Sequence, residues 1–167
     1  MRLLGTLHQL DDTRGAVRVE DVYDTDIDDL WAACTDPDRL ARWIADVSGE
    51  LRQGGTFAGV FTSGFEGAGR IEVCERPSRL VLSTWDNDAP EQVSTIEVAL
   101  TEEGDRTRLV VEERGIPLAQ ARSYGAGWQV HAEDLAAYVS GGERDEDPQR
   151  WKDAVEAYRD EPVEAVA

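Results

Sequence analysis

The apolar residues of this chain repeat every second position over most of its length and every third or fourth position near its C-terminus. Strand-like segments fall at residues 16–23, 56–61, 65–75, 79–85, 93–101 and 106–113, because alternation of apolar and polar side chains is typical of a half-buried strand. Between residues 117 and 139 the spacing becomes that of one face of a helix of about six turns. This order restricts the chain to a sheet with one long helix packed against it.

Two short helices are predicted between the first strand and the rest of the sheet. Residues 25–28 (Thr-Asp-Ile-Asp) place a hydroxyl and two acids ahead of an apolar helical spacing, which is typical of a helix N-terminus. Asp36 and Pro37 supply a cap and a first-turn proline for the second helix. The later strands are joined by short loops, which indicates antiparallel neighbours. The sequence therefore predicts an α+β domain with a curved antiparallel sheet under a long helix.

A bent sheet cannot touch a straight helix along its whole length, so we expect a pocket between them. Its aromatic walls would stack on a flat or apolar ligand, with one histidine as a directional contact. The alternative that these side chains only fill the core, with His131 hydrogen-bonded beside Asp134, stays open. The residues expected to line the pocket are Trp43, Phe57, Phe61, Trp85, Trp128, His131 and Leu135.

Three segments carry a resemblance to a known family. Residues 31–43 read Trp-Ala-Ala-Cys-Thr-Asp-Pro-Asp-Arg-Leu-Ala-Arg-Trp, and residues 127–131 read Gly-Trp-Gln-Val-His ahead of Leu-Ala-Ala-Tyr at 135–138. Arg-Trp at 150–151 and Ala-Tyr at 157–158 complete the pattern. In order and spacing, over about residues 16–159, these segments resemble the START-like superfamily, also called SRPBCC or birch-pollen-allergen-like. Within it they are similar to bacterial members of the heat-shock ATPase activator homologue branch.

The resemblance implies a helix-grip fold, in which about seven antiparallel strands wrap round a long C-terminal helix and two short helices follow the first strand. We expect a lead-in at residues 1–15, the helix-grip domain at 16–140, and a polar linker, short helix and frayed acidic tail at 141–167. The strand missing from the pattern falls either in the lead-in or at residues 47–52. The short C-terminal helix either packs on its own domain, covers the pocket mouth as a lid or forms a dimer contact.

The charge of the chain excludes several classes of partner. Asp and Glu number 35 against 17 Lys and Arg, which gives a net charge of −18; such a surface repels nucleic acid and anionic membranes. No apolar run approaches the roughly 20 residues of a membrane-spanning helix. Cys34 and Cys74 are interpreted as free thiols of a cytoplasmic protein. The spacing of the His and Cys residues predicts no metal site, and no cofactor motif is present.

The leading functional hypothesis is the binding of a small hydrophobic or aromatic molecule in the pocket, without catalytic residues. The first alternative is a cyclase- or hydrolase-like enzyme, since the resemblance implies relatives with such activities in the same cavity. That alternative would gain support if Arg70 and Glu72 faced inward beside His131, although Ile71 and Val73 have the pattern of the core face. The second alternative is a co-chaperone or stress-related interaction protein. Homodimerisation stays open.

Overall fold

The computed structural model describes residues 1–166. Within these residues nine strands form one curved, unclosed sheet. The strands are β1 (Gly5–Gln9), β2 (Arg14–Tyr23), β3 (Ala45–Gly49), β4 (Thr56–Phe61), β5 (Glu66–Glu75), β6 (Arg79–Asp86), β7 (Ala89–Glu103), β8 (Arg106–Pro117) and β9 (Val163–Ala165). The helices are α1 (Ile27–Thr35), α2 (Pro37–Leu40), α3 (Ala121–Val139) and α4 (Gln149–Tyr158).

The sheet is antiparallel except at one edge. Its strand order is β3-β4-β5-β6-β7-β8-β2-β1-β9, and β9 runs parallel to β1. The α+β helix-grip prediction is confirmed, with nine strands where about seven are expected. The sequence pattern marks six of the nine, and the other three are β1 in the lead-in, β3, which overlaps residues 47–52, and β9 near the C-terminus.

Alternation along the strands decides which face of the sheet is buried. In β2, Val17, Val19 and Tyr23 are buried, as their shared parity predicts. In β5, Ile71 is buried whereas Arg70 and Glu72 are exposed and form an ion pair of 3.6 Å. Arg70 and Glu72 therefore lie on the outer face of the sheet, as the apolar character of Ile71 indicates.

The short helices begin where the sequence predicts. The Asp26 carboxylate accepts a hydrogen bond of 2.8 Å from the Asp29 backbone N–H and caps α1. The Asp36 carboxylate accepts from the Asp38 N–H at 3.0 Å, and Pro37 occupies the first turn of α2. These caps place α1 and α2 over the sheet at one end of its inner face.

The long helix begins later than its sequence pattern predicts. Strand β8 continues to Pro117, a 3₁₀ turn follows at Leu118–Gln120, and α3 then runs without interruption from Ala121 to Val139. Helix α3 packs on β1, β2 and α4. It therefore covers the β1–β2 side of the sheet, and α1 and α2 are left to cover the opposite side.

Residues 149–165 contain a helix and a strand, where a short helix and a frayed tail are expected. Helix α4 packs against α3, with Ala154 and Tyr158 fully buried. The Tyr158 hydroxyl donates to Gln129 Oε1 at 2.9 Å and accepts from the Gly5 N–H at 3.0 Å. Beyond α4, β9 adds to β1 through backbone hydrogen bonds. The expected tail thus includes a strand of the main sheet.

Candidate functional site

A cavity of about 140 Å³ lies on the inner face of the sheet. Side chains from α1, α2 and the six strands β3 to β8 line it, and Trp128 is the contribution of α3. Most of the lining is aliphatic or aromatic. Cys74 of β5 lines the cavity and is exposed, whereas Cys34 of α1 lines it and is partly buried, which places Cys74 at the mouth.

Four of the seven residues predicted to line a ligand cavity meet in its wall. They are Trp43, Phe57, Phe61 and Trp128. The Trp43 indole N–H donates to the Ala33 carbonyl at 2.9 Å and its side chain is buried, so this part of the wall is held in place. Phe57 and Phe61 come from β4 and are only partly buried, which leaves their rings accessible from the cavity.

Trp85 lies outside the cavity because of strand parity. Leu80, Leu82 and Thr84 of β6 line the cavity, and side chains alternate along a strand. Trp85 therefore projects to the other face of the sheet, on the side of Ser83, whose hydroxyl donates to Glu72 at 3.1 Å. Trp85 was predicted to line the cavity because its side chain is large and aromatic, but its position in the alternation of β6 places it on the opposite face.

Leu135 and His131 also lie outside the main cavity. Leu135 is fully buried and lines a separate small void of about 10 Å³ together with Trp43 and Trp128, which is space for about one water molecule. His131 is 7% exposed and packs among aromatic rings, with centroid distances of 6.3 Å to Phe61, 6.0 Å to Trp128 and 5.5 Å to Trp151.

The imidazole of His131 is buried, and no group of residues 1–166 forms a hydrogen bond with its Nδ1. Burial lowers its pKa to about 4, because an apolar surrounding disfavours the charged form. Asp134, the expected partner, instead accepts a hydrogen bond of 2.7 Å from Arg150 of α4. His131 therefore lacks the orienting carboxylate that a general base needs.

A buried carboxyl that was not among the predicted site residues lies beside the cavity, that of Glu113 on β8. Its side chain is 6% exposed, and burial raises its pKa to about 7 despite hydrogen bonds that favour the ionised form. The alternation along β8 indicates this position. Leu109 and Val111 of the strand line the cavity, and Glu113, two residues further on, faces the same side of the sheet.

Glu113 belongs to a chain of polar side chains that reaches the cavity wall. The Trp128 indole N–H donates to Glu113 Oε2 at 3.3 Å, and the Ser94 hydroxyl lies 3.5 Å from Oε1. Ser94 Oγ and Thr84 Oγ1 are 3.0 Å apart. Thr84 and Trp128 line the cavity, so the polar chain touches it at both ends.

Comparison with known proteins places the chain in a family. The model of the family "Activator of Hsp90 ATPase homolog 1-like protein" matches residues 24–140. The chain belongs to this family. The START-like resemblance of the sequence is thereby confirmed. None of the curated proteins matches the chain. Among residues 1–166 no helix has the length and apolar character needed to cross a membrane.

Solved structures of similar proteins share the fold. CalU16 from Micromonospora echinospora is 30% identical, with a TM-score of 0.76 over 93% of this chain and 94% of that one. A protein from Bordetella parapertussis is 25% identical, with a TM-score of 0.72 over 98% and 94%. DynU16, from the dynemicin biosynthetic locus, is 25% identical with a TM-score of 0.71, and the match covers 77% of this chain and 48% of DynU16.

Proposed function

We propose that this protein binds a small apolar or aromatic molecule in the cavity between α1, α2 and strands β3 to β8. The cavity volume of about 140 Å³ carries the proposal. An engineered apolar cavity of about 150 Å³ in another protein stays dry and binds benzene. Removing apolar surface from water contributes about 25 cal/mol per Å², and the wall offers few polar groups that would hold water instead.

Two further observations favour binding over the alternatives. DynU16 is encoded in a biosynthetic locus, a setting that suits a protein handling a small compound. Arg70 and Glu72 lie on the outer face, which removes the inward pair that would have supported an enzyme. The family name refers to Hsp90 ATPase activation, but the cavity gives specific support only to small-molecule binding.

The experiment uses indene, a bicyclic hydrocarbon without hydrogen-bonding groups, followed by ligand-observed NMR. Val98 lines the cavity, so Val98→Phe should fill it and abolish binding. Val60 is half exposed on β4, and Val60→Phe is the matched control that should leave binding unchanged. Leu82→Phe serves as a second filling variant should Val98→Phe fail to fold.

A thiol reaction gives an independent measurement. Cys74 at the mouth should react readily with a soluble disulfide reagent, and indene should slow the reaction. Cys34 should stay inert, because burial raises its thiol pKa to about 12. Binding that persists unchanged in both filling variants would contradict the proposal.

A further inference from the structure

The side chains of Thr84 and Ser94 connect the cavity wall to the buried carboxyl of Glu113. Two residues with hydroxyl groups line the cavity, Thr35 and Thr84. The Thr35 hydroxyl donates to the Trp31 carbonyl of the same helix at 2.7 Å, so its proton is not free to bond to a ligand. Thr84 contacts Ser94 at 3.0 Å, and either oxygen of that pair can be the donor. The hydrogen-bonding character of Thr84 toward the cavity therefore depends on what lies behind Ser94.

Trp128 determines which oxygen of Glu113 carries a proton. An indole N–H is a donor only, and it lies 3.3 Å from Oε2. The carbonyl oxygen of a neutral carboxyl is a better acceptor than its hydroxyl oxygen, so this contact favours the proton on Oε1. Oε1 is the atom that faces Ser94 Oγ, at 3.5 Å, a distance that must shorten to reach the roughly 2.5–3.0 Å typical of an O–H···O hydrogen bond.

The ionised carboxylate orients the chain away from the cavity. A carboxylate only accepts, so Ser94 donates to Glu113 and Thr84 donates to Ser94. Thr84 Oγ1 then offers lone pairs to the cavity. A ligand with an N–H or O–H group meets an acceptor at this point of the wall.

The neutral carboxyl reverses the chain. Once Glu113 has taken up one proton from water, Oε1–H donates to Ser94, Ser94 donates to Thr84, and Thr84 donates into the cavity. A ligand with a carbonyl or ether oxygen now meets a donor. No atom needs to move far, since each hydroxyl hydrogen only rotates about its C–O bond.

We propose that Thr84 is the polar specificity contact of the cavity and that Glu113, acting through Ser94, sets whether it selects hydrogen-bond donors or acceptors on an otherwise apolar ligand. This inference rests on the proposed function. Thr84 touches the ligand, and Glu113 is a positioning residue.

The surroundings of Glu113 allow the switch to operate near neutral pH. Its pKa of about 7 is raised first by burial. Tyr124 of α3 is coupled to it: burial raises the Tyr124 pKa, and the charges of Glu113 and of Asp86 on β6 raise it further. Within residues 1–166 no cationic side chain lies within 4.0 Å of the Glu113 carboxylate. His131, with a pKa of about 4, stays neutral across the relevant range.

The test compares three bicyclic probes of nearly equal size: indene, indole as an N–H donor and indanone as a carbonyl acceptor. Affinities are measured by ligand-observed NMR at about pH 5.5 and about pH 8.5, on either side of the Glu113 pKa. Relative to indene, indole should bind about threefold to tenfold more tightly at the higher pH, the worth of one hydrogen bond. Indanone should show the opposite change.

Three variants identify the residues responsible. Glu113→Gln mimics the neutral acid, because its amide oxygen accepts from Trp128 and its N–H group donates to Ser94. It should favour indanone at both pH values. Thr84→Val removes the hydroxyl with little change of shape and should abolish discrimination while indene still binds. Thr84→Ser should restore discrimination.

The outcomes separate this inference from the proposed function. Binding of indene with one common pH response for all three probes would overturn the inference and leave the proposed function standing. A Glu113→Gln variant that keeps the wild-type pH response would overturn it as well. Failure of every probe to bind, indene included, would contradict both.

Discussion

Glu113 and His131 are buried ionisable side chains without a charged partner within 4.0 Å among residues 1–166. Asp134 is also buried, but Arg150 neutralises it at 2.7 Å. Burial disfavours the charged form of each lone group, so it raises the pKa of the acid to about 7 and lowers the pKa of the base to about 4. The two residues therefore make the stability depend on pH with opposite signs.

Replacing Glu113 with glutamine should change the pH dependence of stability. The folded pKa lies above the ordinary value of 4.5, so the stability contribution of Glu113 is fully present below about pH 4.5 and is lost as pH rises through about 7. Glutamine does not titrate. We expect the free energy of unfolding of Glu113→Gln, relative to wild type, to rise by about 1–3 kcal/mol between about pH 5 and pH 8. Urea denaturation measures this; a difference that is constant with pH would contradict it.

Replacing His131 with leucine should have the opposite pH dependence. Its folded pKa lies below the ordinary 6.5, so the stability that it contributes is present above about pH 6.5 and is lost as pH falls through about 4. Leucine does not titrate. As pH falls from about 6.5 to about 4, the free energy of unfolding of His131→Leu should therefore rise by about 1–3 kcal/mol relative to wild type. His8→Gln, at the other histidine of the chain, is the control. Equal pH profiles for wild type and His131→Leu would refute this expectation.

At the scale of the element, helix α3 contains two glycines with different environments. A Cβ at Gly125 would lie 2.9 Å from Leu7 Cδ2 and 2.9 Å from the Tyr158 ring, whereas a Cβ at Gly127 would meet no atom within 4 Å. Gly125 thus allows α4 and β1 to approach the helix closely. Gly127 lowers the helix propensity of α3, and no neighbouring group among residues 1–166 requires a residue without a side chain there.

We expect opposite effects from the same substitution at these two positions. Gly127→Ala should raise the free energy of unfolding by about 1 kcal/mol through helix propensity. Gly125→Ala gains the same helix propensity, but its methyl group must displace the rigid Tyr158 ring. Its free energy of unfolding should therefore fall by about 1–3 kcal/mol net. Thermal unfolding followed by circular dichroism compares the two. Stabilisation by both substitutions would show that the contact at Gly125 is easily relaxed.

The strands that the sequence predicted are those with one buried face. Val17, Val19 and Tyr23 of β2 alternate with polar residues because one side of the strand faces the core. Strand β9 has no such pattern: it is three residues long, and its pairing with β1 uses backbone groups. Backbone pairing leaves no trace in side-chain periodicity, so the C-terminal edge of the sheet was not predictable.

The candidate site was predictable only in part, for a related reason. Trp43, Phe57, Phe61 and Trp128 were predicted from residue type, and they do line the cavity. Trp85 does not line the cavity, because the alternation along β6 places it on the outer face. Glu113 was not predicted, although the alternation along β8 places it on the inner face. Residue type indicates which side chains suit a cavity wall, but the position of a residue in the alternation of its strand determines whether its side chain faces the cavity.

At the scale of the whole molecule, the cavity follows from the width of the sheet. A helix with its side chains is about 10–12 Å wide, and strands lie about 4.8 Å apart, so one helix covers two or three strands. Helix α3 packs on β1 and β2, and the remaining strands depend on the short α1 and α2. The buried side chains accordingly form two clusters. The cavity lies in the cluster to which α3 contributes Trp128 and Leu135, while α1 and α2 supply the rest of the helical cover.

The net charge of −18 acts on the whole molecule at once. Like charges repel one another in the compact state, and salt screens that repulsion over a Debye length of about 10 Å at 0.1 M. Salt also weakens the ion pairs, but most of these are exposed, such as Arg52–Glu50, and each contributes about 1 kcal/mol at most. At neutral pH the screening of the net charge should dominate.

We therefore expect the free energy of unfolding in urea to rise by about 1 kcal/mol when NaCl is raised from about 0.02 M to about 0.2 M at neutral pH. Sodium and potassium chloride should act alike, because screening does not depend on the identity of the cation. Near the isoelectric point of about 4.3 the net charge vanishes, and salt should then leave stability unchanged or lower it through the ion pairs. A fall in stability with salt at neutral pH would show that the local pairs outweigh the net repulsion.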